Sequence, residues 1–155
     1  MQTDYMQVAI NEAFKGMRKG EGGPFGAVVV RKGKIIATAH NLVLKTHDPT
    51  SHAEITAIRK ASKKLKKFDL SDCEIYSTCE PCPMCLAAIE WARIKILYYG
   101  CTREDADKLG FGDKEIYADL KLAPHTKLVN SIAICDEELQ APFKEWMKKP
   151  NKKMY

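Results

Sequence analysis

Residues 52–100 constrain the fold most, because helical and strand patterns alternate along them. Ile58, Ala61 and Leu65 form an apolar stripe at helical spacing, which predicts a helix over 52–65. Three further elements follow in the order strand, helix, strand, at 73–77, 83–92 and 95–100. Consecutive parallel strands need a helical crossover of this kind between them, so the pattern predicts an α/β sandwich.

The remaining segments complete one such sandwich. Met6, Ile10 and Met17 recur at helical spacing and predict an amphipathic helix over 3–19 that ends at Gly20. The other predicted elements are a hairpin of strands 27–30 and 35–39, loops over 41–50 and 101–114, a short helix near 114–120, a strand near 128–133 and a last helix from residue 136. The chain has 155 residues and neither repeat nor linker, so we expect one domain over 1–155.

The six cysteines point to metal binding or core packing. No stretch approaches the ~18 uninterrupted apolar residues of a membrane span. The first residues, MQTDYMQVAINEAF, lack the basic start and apolar run of a secretory signal. We therefore expect a cytoplasmic protein with no membrane partner. Thiols stay reduced in that compartment, which favours metal ligands or buried cysteines over disulfides.

The positive charge of the chain is not by itself a sign of nucleic-acid binding. The formal net charge is +5 and the pI is about 8.8. The lysines concentrate in two runs, within 60–67 and within 144–153, and neither run is interleaved with aromatic residues that would stack on bases. We interpret both runs as solvated faces and expect no nucleic-acid partner, with RNA binding as the alternative.

His52, Glu54, Cys82 and Cys85 form the pattern H-x-E…P-C-x-x-C, with Pro81 before the first thiol. This pattern is the signature of zinc-dependent deaminases. Three protein ligands leave the fourth tetrahedral position of zinc open, as a catalytic zinc site requires. The helical stripe places Glu54 on the inward face of its helix. We therefore predict zinc ligands at His52, Cys82 and Cys85 and a catalytic proton carrier at Glu54.

Other chemistries remain for the same residues. Adding Cys79 as a ligand would make a closed, structural zinc site. The thiol spacing also resembles the start of a ferredoxin motif, but that motif needs a cysteine at position 88, which is Ala88. A thioredoxin-like dithiol would leave the histidine and glutamate idle. Ser51 and Glu54 also match a helix capping box, in which the glutamate would only cap the backbone.

Five segments resemble the cytidine deaminase superfamily and, more narrowly, its bacterial guanine deaminases. These segments, with the loop at Asn41, span nearly the whole chain: GGPFGAVVV (22–30), DPTSHAEITAIR (48–59), STCEPCPMCLAAIEWAR (77–93), GFGDKEIY (110–117) and NKKMY (151–155). The resemblance implies a three-layer α/β/α sandwich with a five-stranded mixed sheet. It also implies Zn²⁺ as cofactor and hydrolytic deamination of guanine to xanthine and ammonia.

The resemblance further implies substrate contacts. Phe25 is similar to an aromatic residue that stacks on the purine, and Asn41 to an amide that binds the ring edge. Asp113 is similar to a carboxylate directed at the exocyclic amine, where it would assist Glu54 in protonating the leaving group. Tyr155 is similar to a terminal residue that closes the pocket. Simpler roles are core packing for Phe25, loop capping for Asn41 and helix capping for Asp113.

Several other functions use the same zinc core. A tRNA adenosine deaminase would suit the positive charge, but its D-x-K-x-G-A-A-G-S-like loop is replaced here by TREDADKLGFGDK. Cytosine and guanosine deaminases are further alternatives, and a guanosine would need only space at the pocket mouth. A non-enzymatic alternative is a structural zinc-binding module. The inward position predicted for Glu54 disfavours that module.

The last twenty residues suggest a homodimer. Phe143, Trp146 and Met147 form an apolar face on the predicted last helix. Pro142 and Pro150 flank this helix as hinge points, so the segment 136–155 could exchange between two subunits. Packing of the helix on its own sheet is the alternative.

Overall fold

The structure is a computed structural model, in which residues 2–121 and residue 150 are described. Its elements are α1 (Gln2–Arg18), β1 (Gly26–Arg31), β2 (Lys34–His40), α2 (Val43–Thr46), α3 (Ala53–Leu65), β3 (Cys73–Cys79), α4 (Pro83–Trp91), β4 (Ile96–Cys101), α5 (Arg103–Lys108) and α6 (Lys114–Leu120). The chain divides into two compact units, Met1–Tyr117 and Ala118–Tyr155, and the sheet lies in the first. Among the described helices, none combines the length and apolar character that a membrane crossing requires.

Four strands form a mixed sheet in the order β2-β1-β3-β4. β1 pairs antiparallel with both β2 and β3, whereas β3 and β4 are parallel, with Tyr76 opposite Tyr98. The helix α4 provides the crossover between the two parallel strands. The predicted α/β sandwich with parallel pairing in this region is confirmed.

A two-residue turn joins β1 to β2. Lys32 and Gly33 have φ angles of 49° and 71°. Two successive positive φ angles are typical of the type I′ turn, whose twist matches that of the flanking strands. The Tyr5 hydroxyl donates a hydrogen bond of 2.8 Å to the Gly33 carbonyl and so ties α1 to the turn.

Both faces of the sheet are covered by helices. Val28, Val30 and Tyr76 pack with Ala9 of α1 on one face. On the other face the strand residues pack against α3, which presents a row of small side chains: Ala53, Ala57 and Ala61. Small side chains let a helix backbone lie close to the sheet, so the first residues of α3 are buried under it. The three-layer arrangement is therefore present in the described residues.

The predicted count of five strands is wrong for the described residues, which contain four. The sequence pattern predicted a fifth strand near residues 128–133, and the family resemblance implied five strands in all. Residues 128–133 lie outside the described residues, as does the helix expected from residue 136. In the described part of the chain, β4 pairs with β3 alone and forms an edge of the sheet.

Two predicted loops contain short helices. The loop expected over 41–50 includes α2, which has four residues, too few to produce a hydrophobic period. The loop expected over 101–114 includes α5, which begins with a capping box between Thr102 and Asp105. The Thr102 hydroxyl accepts from the Asp105 backbone N–H, and the Asp105 carboxylate accepts from the Thr102 backbone N–H at 3.0 Å. This signal was present in the sequence as T-x-x-D.

Candidate metal centre and active site

The three predicted metal ligands lie at the starts of two helices. His52 is the N-cap residue of α3, and Cys82 is the N-cap residue of α4. Cys85 follows in the first turn of α4 and is buried. Neither N-cap side chain bonds to its own helix backbone, so both are directed elsewhere. The partial positive charge of two helix N-termini therefore faces the same point, where it stabilises thiolates.

The separation of the ligand atoms fits a tetrahedral zinc ion. His52 Nδ1 lies 3.6 Å from Cys82 Sγ and 3.5 Å from Cys85 Sγ. The three ligand atoms all lie within 4.8 Å of one another. Typical zinc–nitrogen and zinc–sulfur bonds at tetrahedral angles place the nitrogen and sulfur atoms about 3.6 Å apart. The residues present therefore fit zinc.

The electrostatics of the two thiols differ. The pKa of Cys82 is lowered to about 4, chiefly by its hydrogen bond with Cys85 and also by His52. The pKa of Cys85 is raised, because this thiol donates to Cys82 and is buried. The His52 pKa is raised by the neighbouring Cys82 sulfur. At neutral pH the pair thus holds a thiolate at Cys82, which is the form of cysteine that binds a metal.

Glu54 lies beside these ligands and is only 6% exposed. The Ser77 hydroxyl donates a hydrogen bond of 3.0 Å to Glu54 Oε1, and the Cys85 thiol lies 3.5 Å from Oε2. Burial raises the pKa of the Glu54 carboxyl. A carboxyl with a raised pKa exchanges protons near neutral pH more readily than an ordinary glutamate does. The geometry therefore supports a proton carrier at this position.

The capping-box alternative for Glu54 is contradicted by the start of α3. The N-cap residue is His52, not Ser51. The Ser51 hydroxyl instead donates to Asp48 Oδ2 at 2.9 Å, and the Glu54 side chain turns to Ser77 on β3.

Cys79 lies at the end of β3, apart from the ligand cluster. Its thiol donates to the Thr102 carbonyl at 3.6 Å, and burial raises its pKa to about 11. In the described residues, the group of ligand atoms within 4.8 Å of one another contains His52, Cys82 and Cys85 but not Cys79, which disfavours the closed four-ligand zinc site.

A cavity of about 810 Å³ opens next to the ligand cluster. Phe25, Asn41 and Asp113 line it together with Glu54. Phe25 meets Phe111 edge to face, with ring centroids 5.1 Å apart. The structure thus brings together the predicted site residues it describes, and Tyr155 lies outside the described residues.

Two polar side chains shape the cavity wall. Asn41 Oδ1 accepts hydrogen bonds from the backbone N–H groups of Gly23 at 3.3 Å and Val43 at 3.1 Å. Because the amide oxygen is used in this way, a ligand would meet the amide nitrogen. Burial raises the pKa of Asp113, and the charge of Arg103 opposes that shift.

The sequence analysis missed Ser77 and Arg103. Ser77 lies on the face of β3 that packs against α3. The available signal was its position two residues after the buried Ile75, since residues two apart on a strand share a face. Arg103 Nε lies 3.2 Å from Glu80 Oε1, and its guanidinium stacks on the Tyr117 ring at 4.1 Å. Arg103 and Glu80 both line the cavity, but no local pattern joins residues this far apart in sequence.

Comparisons with known proteins agree with this geometry. The profile of the cytidine and deoxycytidylate deaminase zinc-binding region matches residues 1–101. A guanine deaminase from Bacillus subtilis is 44% identical over 151 residues, which cover 97% of each chain. A tRNA-specific adenosine deaminase from Aquifex aeolicus is 45% identical over 91 residues, covering 59% of this chain and 60% of that one. The X-ray structure of the guanine deaminase from Bacillus subtilis superimposes with a TM-score of 0.94 at 43% identity, covering 99% of this chain and 98% of that chain.

Proposed function

Because this chain belongs to the cytidine and deoxycytidylate deaminase family, we propose that it is a zinc-dependent hydrolase that converts guanine to xanthine and ammonia. The observation that carries the substrate assignment is the 44% identity to a guanine deaminase over 97% of both chains. The similarity to the Aquifex aeolicus tRNA-specific deaminase covers 59% of this chain.

His52, Cys82 and Cys85 would hold the zinc, since their ligand atoms are spaced for it. When bound, zinc lowers the pKa of a coordinated water to about 7 and so supplies a nucleophile at neutral pH. Glu54 is the group beside these ligands that can accept a proton from the water. Ser77 holds Glu54 Oε1, so the position of the carboxylate is defined before substrate enters.

The proton carried by Glu54 balances the reaction. The water oxygen bonds to C2 of guanine while Glu54 takes a water proton and delivers it to the adjacent ring nitrogen. Glu54 then takes the remaining proton from the new hydroxyl at C2 and passes it to the exocyclic amine, assisted by Asp113. The bond from C2 to that nitrogen breaks, ammonia leaves, and the C2 carbonyl of xanthine forms. The products are xanthine and ammonia. The raised pKa of Glu54 suits a group that must both accept and release a proton in one turnover.

We assign the remaining wall residues to recognition of the base. Phe25 would stack on the purine ring, and the Asn41 amide nitrogen would donate to an acceptor on the ring edge. Tyr155 would close the pocket. Arg103 is paired with Glu80 at 3.2 Å, so its charge is partly balanced within the wall. This balance supports an uncharged base over a phosphorylated nucleotide as substrate.

The lysines of α3 do not favour the tRNA alternative. Lys60 donates to the Thr38 carbonyl and Lys64 to the Ile36 carbonyl, each at 3.0 Å. Lys67, just after α3, pairs with Asp72 at 2.6 Å. Lys60 and Lys64 thus cover the edge strand β2 and Lys67 is held by a carboxylate, which leaves fewer of their donors for phosphates. We further propose a cytoplasmic homodimer, with the segment 136–155, outside the described part, as the segment that exchanges between subunits.

The test is ammonia release by the zinc-loaded full chain from a panel of substrates. The panel contains guanine, guanosine, adenine, cytosine and a tRNA anticodon stem. We expect the highest kcat/KM for guanine. If another member of the panel gives a much higher kcat/KM than guanine does, the substrate assignment is wrong. If no member releases ammonia from protein with a full complement of zinc, the assignment as a deaminase is wrong.

A further inference from the structure

A chain of charged side chains lies behind the cavity wall, outside the catalytic residues. His40, at the end of β2, stands between two carboxylates: Nδ1 lies 2.9 Å from Glu12 Oε2 of α1, and Nε2 lies 2.6 Å from Glu21 Oε2. Glu21 Oε1 also accepts from Lys45 Nζ at 2.7 Å. Lys15 pairs with Glu12 at 3.0 Å. We call Glu12, His40, Glu21 and Lys45 the His40 network.

The histidine and the two carboxylates of the His40 network are largely withdrawn from water, whereas the Lys45 side chain is 57% exposed. His40 is 8% exposed, and the side chains of Glu12 and Glu21 are 14% and 15% exposed. Each ring nitrogen of His40 faces a carboxylate oxygen within hydrogen-bond distance, so the ring links α1 to Glu21. Hydrogen bonds to an ionised carboxylate are stronger than neutral ones, and more so where solvent screening is weak. Consistent with this, Lys45 and His40 lower the pKa of Glu21 to about 2.

The ring of His40 also has a fixed place. Gly16 of α1 lies directly against it, and a Cβ atom at Gly16 would collide with the ring carbons. The backbone of α1 therefore forms one side of the histidine site. Any larger residue at position 16 would displace the ring from its carboxylate partners.

The network is joined directly to both segments of the cavity wall. His40 precedes Asn41, and Glu21 precedes Gly22, which lines the cavity. The Lys45 backbone N–H donates to the Glu21 carbonyl at 3.0 Å, and the Asn41 backbone N–H donates to the Phe25 carbonyl at 3.1 Å. We define the wall as residues 22–25 and 41–44. Its two segments are flanked by residues of the network: Glu21 precedes the first, and His40 and Lys45 flank the second.

We propose that His40 is a positioning residue: through Glu12 and Glu21 it holds the wall that carries Phe25 and Asn41 against α1, in the orientation that binds the substrate base. This inference rests on the proposed function for its substrate. Glu54 and the metal ligands belong to α3 and α4, outside the network. Loss of the network should therefore weaken substrate binding and leave the chemical step largely intact.

The first test replaces His40 with glutamine, which is neutral and lacks a second donor on the opposite side. In the zinc-loaded full chain, we expect His40→Gln to raise KM for guanine about tenfold, the loss typical of one charge-assisted hydrogen bond, while kcat changes less than about twofold. Zinc content should stay at the wild-type value. The control is Asp69→Asn, which breaks the exposed Arg93–Asp69 pair of 2.9 Å away from the cavity and should leave KM unchanged. An unchanged KM in His40→Gln would overturn the positioning role.

A second measurement is independent of the reaction. In His40→Gln, amide hydrogen exchange should become about tenfold faster in the wall and at the residues that flank it. The reason is that local opening of this segment no longer has to break the contacts of His40. The amides in question are those of Glu21, Gly23, Asn41 and Lys45. If wild-type protein fails to deaminate guanine but His40→Gln shows this faster exchange, the proposed function fails and the anchoring stands. Exchange at the wild-type rate would overturn the anchoring itself.

Glu21→Gln and the double variant complete the test. If His40 acts through Glu21, the double variant should raise KM no more than the larger single effect, since residues of one network are not additive. Independent, multiplied effects would show that His40 acts by another route. If His40→Gln does not fold, Glu12→Gln carries the same prediction of a higher KM and faster exchange, and wild-type values in that variant would overturn the proposal.

Discussion

The Glu54 carboxylate is held between Ser77 and Cys85, and its substitution is the sharpest test at the scale of single residues. Glu54→Gln keeps the shape of the side chain and a possible bond to Ser77, but it cannot carry a proton. We expect kcat for guanine to fall at least ~100-fold, the usual contribution of a positioned acid or base. Ammonia release at saturating guanine measures the effect, with zinc content measured on the same sample.

Ser77→Ala is the matched comparison for this substitution. It removes the hydrogen bond to Glu54 Oε1 while leaving the proton carrier, so its loss of kcat should be clearly smaller than that of Glu54→Gln. Near wild-type turnover in zinc-replete Glu54→Gln would mean that another group moves the proton.

Cys79 tests how many thiols the metal site uses. Its thiol donates to the Thr102 carbonyl and is not part of the group formed by His52, Cys82 and Cys85, so we place it outside the site. Cys79→Ser should retain a full complement of zinc, with an activity loss of about fivefold at most, corresponding to ~1 kcal/mol. Cys82→Ser, which removes a proposed ligand, should lose zinc. Metal analysis after dialysis measures both, and a zinc-free Cys79→Ser protein would show a fourth ligand.

At the scale of elements, two helices are arranged so that their N-termini serve the site. α3 begins at His52 and α4 at Cys82, with Pro83 in the first turn of α4, where a missing N–H costs nothing. β3 contributes Ser77, whose hydroxyl donates to Glu54 of α3. The site is thus built from the ends of three elements, which makes its geometry depend on the sheet register.

The segment between α1 and β1 should carry part of the acid sensitivity of the fold. Lys45 and His40 lower the pKa of Glu21 from the ordinary 4.5 to about 2. The ionised form is therefore favoured by folding, and its contribution is present above about pH 4.5 and lost as the pH falls towards 2. In Glu21→Gln this loss cannot occur, so the free energy of unfolding should fall less steeply over that pH range than in wild type. Urea unfolding at a series of pH values measures it.

Glu90→Gln, at an exposed position of α4, is the control for the acid-sensitivity measurement and should keep the wild-type slope. An identical slope in Glu21→Gln and wild type would show that the ionic contacts of Glu21 add nothing to stability.

At the scale of the whole molecule, we predict a homodimer. The apolar face of Phe143, Trp146 and Met147 lies outside the described residues, but the described surface also exposes large apolar side chains. Trp91 is 71% exposed and Leu86 is 36% exposed, both on α4. Light scattering should give twice the chain mass of 17.5 kDa. A monomer mass that persists at high protein concentration would contradict this prediction.

Most of the described elements could be predicted, because each depends on local periods and turn residues. The helices α1, α3 and α4 and the β1–β2 hairpin lie within a few residues of their predicted bounds. The proposed metal ligands were equally accessible, since only a few residue types bind zinc and their spacing is characteristic. The short helices α2 and α5 were missed, because four or six residues give too little periodicity.

The sequence by itself therefore determined the helices and strands, which depend on residues near each other in the chain. It also pointed to the proposed metal ligands, because few residue types bind zinc and their motif is characteristic. Tertiary structure decided which long-range partners those residues meet. Ser77 reaches Glu54 across 23 positions, and His40 reaches Glu12 across 28. Such contacts follow from the strand order β2-β1-β3-β4 and its register, which no local pattern specifies.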